Sequence, residues 1–382
     1  MDVRVLLKEM SDRGGSDLYI TADSPPVVRI EGTNHVVPGE PLTPTDVEAL
    51  ANALMTERQR ALFEESMEMN LGISSSRLGR FRVNIFRQRG AVGVVVRQIK
   101  TIIPSIEELG LPAVLQEIAL TKRGLVLVTG ATGSGKSTTL AAMIDYRNEN
   151  SAGHIISVED PIEFIHPHKR CIVTQREVGF DTESFETALK NTLRQAPDVI
   201  LIGEVRDRAT MEAAITFADT GHLCLATLHS NNANQAIERI MNFFAMERHS
   251  EIYLQLSLNL RAIISQRLVP GIDNMRVAAL EIMMDTPYIR DLVKKGEVDT
   301  IKQAMEGSRQ EGGQTFDQSL FDLYAQGRIS AEQALVNADS GNNLRILIKN
   351  FDLRQEQATR AKSRTAEPGN LRIQGMGGHT RR

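Results

Sequence analysis

The chain has 382 residues, 41% of them hydrophobic and 24% charged. That length favours two or three domains, and the balance is ordinary for a soluble globular protein. A formal net charge of -4, 4% aromatic residues and no Trp speak against a nucleic-acid-coating surface or a base-stacking platform.

No apolar run approaches the ~18 residues of a membrane-spanning helix. The start, Met1-Asp2-Val3-Arg4, lacks the apolar core of a secretory signal, so a cytoplasmic protein is expected. Cys171 and Cys224 lie too far apart for a redox or zinc pair, and Cys224 reads as a small core residue.

Residues 1–100 read as a separate small α/β domain. Residues 3–10 carry apolar side chains at helical spacing, and Gly14-Gly15-Ser16-Asp17 stops them. Residues 18–20 and 27–30 read as short strands around Ser24-Pro25-Pro26. Helical periodicity runs over 45–67, entered by Thr43-Pro44. Over 79–97, Phe81, Val83 and Ile85 alternate with Arg80, Arg82 and Asn84. That pattern predicts a half-buried antiparallel pair broken near residues 88–90.

Residues 101–112 contain Pro104, Gly110 and Pro112 and read as a linker with a short helix at 106–109. From 113 to 285 apolar runs of strand length alternate with helical patterns. The strands are expected at 125–129, 154–158, 199–202, 223–228 and 276–283. Alternation of this kind implies βαβ units, and near-continuous apolarity suits a parallel sheet covered on both faces. Residues 286–350 read as a helical extension. Residues 351–382 are rich in Arg, Gly, Gln and Thr and are expected to form a disordered basic tail.

The strand at 125–129 runs into Gly130-Ala131-Thr132-Gly133-Ser134-Gly135-Lys136-Ser137-Thr138, a Gly-x-x-x-x-Gly-Lys-Ser phosphate-binding loop. Its glycines let backbone N–H groups surround an anion, and the following helix adds the positive end of its dipole. Residues 132–138 are therefore the candidate nucleotide cradle: Thr132, Gly133, Ser134, Gly135, Lys136, Ser137 and Thr138. Lys136 is placed to reach the β- and γ-phosphates of ATP, and the Ser137 hydroxyl to bind Mg²⁺.

In such a sheet, ligands bind beyond the carboxyl ends of the strands. The next strand ends deliver Glu159-Asp160-Pro161-Ile162-Glu163, then Gly203-Glu204, then His229. Glu204 suits holding Mg²⁺ through a water. Glu163 is the candidate general base, with Glu159 and Asp160 as alternatives. His229 is placed to sense the γ-phosphate, whereas His222 begins the same strand at its opposite end.

These stretches resemble the secretion-type ATPases, the hexameric motors of type II secretion and type IV pili. Four boxes carry the resemblance: the loop at 130–138, the acidic box at 158–164, the Gly-Glu strand end at 197–207 and the histidine box at 221–229. Gly14-Gly15-Ser16-Asp17-Leu18 is similar to the pilus retraction branch, the PilT/PilU type. The partial match of residues 289–296 to that branch's C-terminal element, and the extended tail, favour the PilU-like paralogue.

The resemblance implies a PAS-like N-terminal domain, a RecA-like ATPase domain and a homohexameric ring. It implies that arginines of the N-terminal domain, here Arg82 and Arg97, close onto the nucleotide. It also implies a Mg²⁺-dependent ATPase at the inner-membrane face of the pilus machine. A platform protein of that membrane, and a paralogous retraction ATPase, are the implied partners. Three rivals stand beside this reading: an accessory subunit that modulates a partner motor, a secretion or pilus-assembly ATPase, and a RecA-like nucleic-acid motor.

Overall fold

The structure is a computed structural model that describes residues 2–365 except Glu31, Ser76 and Asn274, with side chains to residue 357. The first part of the chain runs α1 (Val3–Asp12), β1 (Asp17–Thr21), β2 (Val27–Ile30), β3 (Thr33–Val36), α2 (Pro44–Leu54), α3 (Glu57–Ser66), β4 (Glu68–Ser75), β5 (Gly79–Gln88) and β6 (Ala91–Gln98). Its strands form one antiparallel sheet, ordered β3-β2-β1-β6-β5-β4. Side chains alternate between the two faces of a strand. Phe81, Val83 and Ile85 therefore pack on one face with Val94 and Val96, beneath Leu6, Met10, Val47 and Phe63 of the helices. Arg82 and Arg97 fall on the other face.

The helix expected over 45–67 is two helices. Thr56 restarts it, because its side chain and that of Gln59 form a reciprocal capping box. The β5–β6 hairpin turns at Arg89 and Gly90, with φ 49° and 81°. Two successive left-handed residues match the twist of a tight hairpin.

The next part runs α4 (Val114–Leu120), β7 (Gly124–Thr129), α5 (Lys136–Asn150), β8 (Gly153–Glu159), β9 (Cys171–Glu177), α6 (Phe185–Thr192), β10 (Val199–Ile202), α7 (Arg208–Asp219), β11 (Leu223–Leu228), α8 (Ala233–Met241), α9 (His249–Asn259), β12 (Leu260–Pro270) and β13 (Arg276–Met284). The sheet order is β13-β12-β7-β11-β10-β8-β9, parallel throughout except for antiparallel β13. Every residue of β7 and β11 is buried. Leu125 and Leu127 point into a layer with Met211, Ala214 and Ile237. Val126 and Val128 point into the opposite layer with Leu115, Leu140 and Met143. The two-sided cover expected from continuous apolarity is present.

Two strands of this sheet, β9 and β12, have no counterpart among the expected ones. β9 is an edge strand with alternating exposure, and Ser265-Gln266-Arg267 interrupts the apolar run of β12. Neither reads as a continuous apolar stretch. Residues 106–110 form a turn in place of the expected short helix.

The chain ends with α10 (Pro287–Lys295), α11 (Ile301–Gly307), α12 (Phe316–Ala325), α13 (Ala331–Val336) and α14 (Gly341–Thr365). Residues 351–365, expected as the start of a disordered tail, are helical, and Ile348 of the same helix is buried with Leu344 and Phe316. The remainder of that tail, 366–382, lies outside the described residues. Among the described residues no helix is long and apolar enough to cross a membrane.

Phe316 joins this helical end to the sheet: it is fully buried beside Val269, Val277 and Ala279, and the Arg267 guanidinium stacks over its ring at 3.8 Å. Removing its ring leaves a cavity and an uncovered cation. Phe316→Ala is expected to destabilise the protein by about 3–5 kcal/mol, read from the urea unfolding midpoint.

Candidate active site

The phosphate loop is built by backbone demands before any side chain acts. Gly130 (φ 146°) approaches β12 so closely that a Cβ there would lie 2.5 Å from the Gln266 carbonyl oxygen. Gly133 and Gly135, at φ 78° and 88°, turn the chain through the left-handed region. α5 starts at Lys136, so its free N–H groups face the loop. Lys136 is buried, and its Nζ donates to the carbonyl oxygens of Gly130 (2.8 Å) and Ala131 (2.9 Å). Burial lowers its pKa, while Glu204 and Glu163 oppose that shift. The buried Ser134 Oγ has no hydrogen-bond partner. A glycine cradle, an orphan hydroxyl and an inward lysine fit a phosphate chain.

A cavity of about 220 Å³ opens beside the loop. Thr132, Gly133, Lys136 and Ser137 form one wall, and Glu159, Asp160, Glu163, Glu204 and His229 form the other. Ser134 lines a neighbouring cleft with Gln266 and Arg276. Gly135 immediately precedes α5 and Thr138 lies in its first turn, and neither lines these cavities.

Register explains the convergence. Leu228 of β11 lies opposite Thr129 of β7, and Ile202 of β10 lies opposite Val158 of β8. Their following residues therefore emerge at one edge of the sheet. Glu204 uses both carboxylate oxygens: Oε1 lies 3.1 Å from His229 Nε2, and Oε2 accepts from Arg206 Nε at 2.7 Å. Arg206 also reaches Asp160 Oδ2 at 3.1 Å. Burial lowers the His229 pKa, and the Lys136 charge lowers it further. His222 lies at the far end of β11, where its Nδ1 is 3.1 Å from Thr220 Oγ1.

The acidic box divides. Glu159 is half-buried, and burial pushes its pKa up to about 7 against hydrogen bonds from Ser157 (2.6 Å) and Gln175 (3.3 Å). Glu163 is exposed and lines both the main cavity and a smaller one of about 140 Å³. His166, buried at the same wall, has an unpartnered Nδ1, and burial pushes its pKa down to about 4.

Arg82 and Arg97 line the smaller cavity with Glu163 rather than the one beside Lys136. They face each other across β5 and β6, and Asp17 of β1 faces Arg97 in the same row. Two like charges side by side are unfavourable, and Asp17 offsets this with a 2.8 Å ion pair to Arg97 Nε. This sheet meets the acidic box where Ile165 N–H donates to the Lys100 carbonyl at 3.0 Å.

Asp17, Arg206, Gln175 and His166 have no role in the sequence-based reading. Asp17 and Arg206 lie inside quoted motifs, and a signal existed in each: a lone acid on a short strand, and a cation two residues after a strand-end carboxylate. Gln175 and His166 carry none: Gln175 lies on β9, which has no apolar signature, and His166 lies in the irregular segment before it.

The Type II/IV secretion system protein family matches residues 40–364. The chain is 57% identical over 350 residues to the type IV pilus ATPase PilU of Pseudomonas aeruginosa, covering 91% of this chain and 92% of that one. It is 43% identical over 343 residues to the type IV pilus retraction ATPase PilT of the same organism, covering 90% and 100%. A crystal structure of the pilus retraction motor PilT with bound ADP superposes with a TM-score of 0.83 at 42% identity, covering 89% of this chain and 98% of that one. The chain belongs to the type II/IV secretion ATPase family, in its PilT/PilU branch.

Proposed function

We propose that this protein is a Mg²⁺-dependent ATPase that works as a hexameric ring of identical subunits and drives type IV pilus retraction, hence twitching motility. The convergence of four strand ends on one cavity carries the chemical part of this reading. The names of its PilU and PilT relatives support the mechanical part. The same reading makes it a cytoplasmic ring that acts on a platform protein at the inner-membrane face, beside a paralogous retraction ATPase.

Lys136 neutralises the β- and γ-phosphates of ATP, while the glycine cradle and α5 supply N–H donors. Mg²⁺ would supply positive charge to offset what develops on phosphoryl transfer. The Ser137 hydroxyl and, through a water, Glu204 would be its protein ligands. Among the described residues no cluster of three or more His, Cys, Asp or Glu could hold a metal ion. So few protein donors suit a cation that keeps waters and takes phosphate oxygens. Glu163 orients and deprotonates the attacking water, and His229 reports the γ-phosphate to Glu204. Arg82 and Arg97 reach the nucleotide when the N-terminal sheet moves, which couples closure to hydrolysis.

Glu159 supports a second assignment of the base, since a pKa near the working pH suits proton transfer. The two carboxylates separate by pH. Glu163→Gln should lower phosphate release about 100- to 1000-fold at every pH. Glu159→Gln should leave most of it; loss of the rate limb near pH 7 in that variant instead would make Glu159 the base. The same group affects stability. Its folded pKa of about 7 exceeds the ordinary 4.5, so the folded chain keeps a proton that the unfolded chain has lost. Stability therefore falls as pH rises across that window. Urea midpoints measured at pH 5 and pH 8 should differ less in Glu159→Gln than in the wild type.

Lys136→Ala and Glu204→Ala should each reduce steady-state phosphate release by about 100-fold or more. Activity only in the presence of a second ATPase would point to an accessory subunit, and stimulation by DNA would point to a nucleic-acid motor. Deleting the gene should leave excess surface pili without twitching; cells lacking pili would overturn the retraction assignment.

A further inference from the structure

A buried row of polar groups runs across the sheet directly beneath the site. Thr129 of β7 lies opposite Ser265 of β12, and Ser265 lies opposite Glu281 of β13. The Thr129 hydroxyl donates to Ser265 Oγ at 3.1 Å, and that hydroxyl donates to Glu281 Oε1 at 3.4 Å. The same Oε1 accepts the backbone N–H of Ala233 at 2.8 Å. Thr129, Ser265 and Ala233 are fully buried and Glu281 is 2% exposed. A carboxylate in such a place is costly unless hydrogen-bonded. A packing role alone would be met by an apolar side chain without that cost, so the carboxylate points to a further purpose.

Position supplies one. Thr129 is the residue before the phosphate loop, and Ala233 opens α8. Between Leu228 and Ala233 lies only the segment 229–232, which carries His229. Its leading end is held on the same row, because Leu228 pairs with Thr129. Its trailing end is held by Glu281. β12 also grips the far side of the loop, where Thr139 Oγ1 donates to Gln266 Oε1 at 2.7 Å. Phosphate loop and histidine segment are thus referenced to one rigid line of atoms.

We propose that Glu281 is a positioning residue: through the Ala233 N–H and the Ser265–Thr129 hydroxyls it sets His229 against Glu204 and the phosphate loop. The inference rests on the role given above to His229. It predicts that Glu281 affects turnover through His229 and leaves nucleotide affinity alone.

The test is a double-mutant cycle on the full-length protein, read by phosphate release and by titration with a fluorescent ADP analogue. Glu281→Ala should lower kcat about tenfold or more, because the Ala233 N–H and the Ser265 hydroxyl both lose their acceptor, with nucleotide affinity within about twofold. In a His229→Ala background the same substitution should cost nothing further. Glu281→Gln keeps an acceptor for the Ala233 N–H and should recover most of the rate. If Glu281→Ala does not fold, Glu281→Asp replaces it, since the shorter side chain falls short of Ala233. A full second loss in the His229→Ala background overturns the proposal, as does weakened nucleotide binding at unchanged kcat. A silent His229→Ala variant would instead remove the role assigned to His229.

Discussion

The structure depends on the burial of β7 and β11 between two apolar layers. All their side chains are covered by helices on both faces, so a polar group can appear only where these strands end. Parallel pairing then places those ends on one edge of the sheet. The chemistry of the site is a consequence of that exclusion. Lys136, Glu163, Glu204 and His229 come from distant parts of the chain and meet because the strands that precede them end at one edge.

Four carboxylates, Glu159, Asp160, Glu163 and Glu204, share the rim with Lys136 and Arg206, and their arrangement limits what each can do. Glu204 has its oxygens taken by His229 and Arg206, and Arg206 also holds Asp160. Lys136 turns back on its own loop carbonyls. Glu163 stays exposed between the phosphate loop and the N-terminal sheet. The same site thus has a wall tied by ion pairs and an exposed carboxylate facing the N-terminal sheet. Arg82 and Arg97 stand on that sheet, Arg97 paired with Asp17, and share a cavity with Glu163. Their entry into the cavity beside Lys136 requires a displacement of the two sheets, which is how hydrolysis would be coupled to mechanical work.

Much of this was legible in the residues. The loop at 130–138 is a set of backbone requirements written as glycines, and glycines can be read without a structure. The strands that carry Glu159, Glu204 and His229 are continuous apolar runs, and their two-sided burial is the physical meaning of that pattern. The alternation in β5 told which face Arg82 would take. Less was legible where polarity and structure disagree. β9 and β12 contain polar residues because one lies at an edge and the other carries the Thr129–Ser265–Glu281 row. A strand that serves as a polar scaffold has no apolar signature. Residues 351–365 misled in the opposite way: few of their side chains are apolar, yet they continue a helix already anchored by Leu344 and Ile348.

By itself the sequence determined the nucleotide loop, the two-sided sheet, the order of the acidic and histidine boxes and the strand face that carries Arg82. These follow from local backbone preference and from periodicity, which act within a few residues. Only the tertiary structure decided which groups face each other: Glu204 with Arg206 and His229, Arg97 with Asp17, Glu281 with Ala233. Such pairings depend on strand register and sheet order, and burial then alters the groups themselves, as with Glu159 near 7. Desolvation is a property of the assembled layers, so no stretch of sequence carries it.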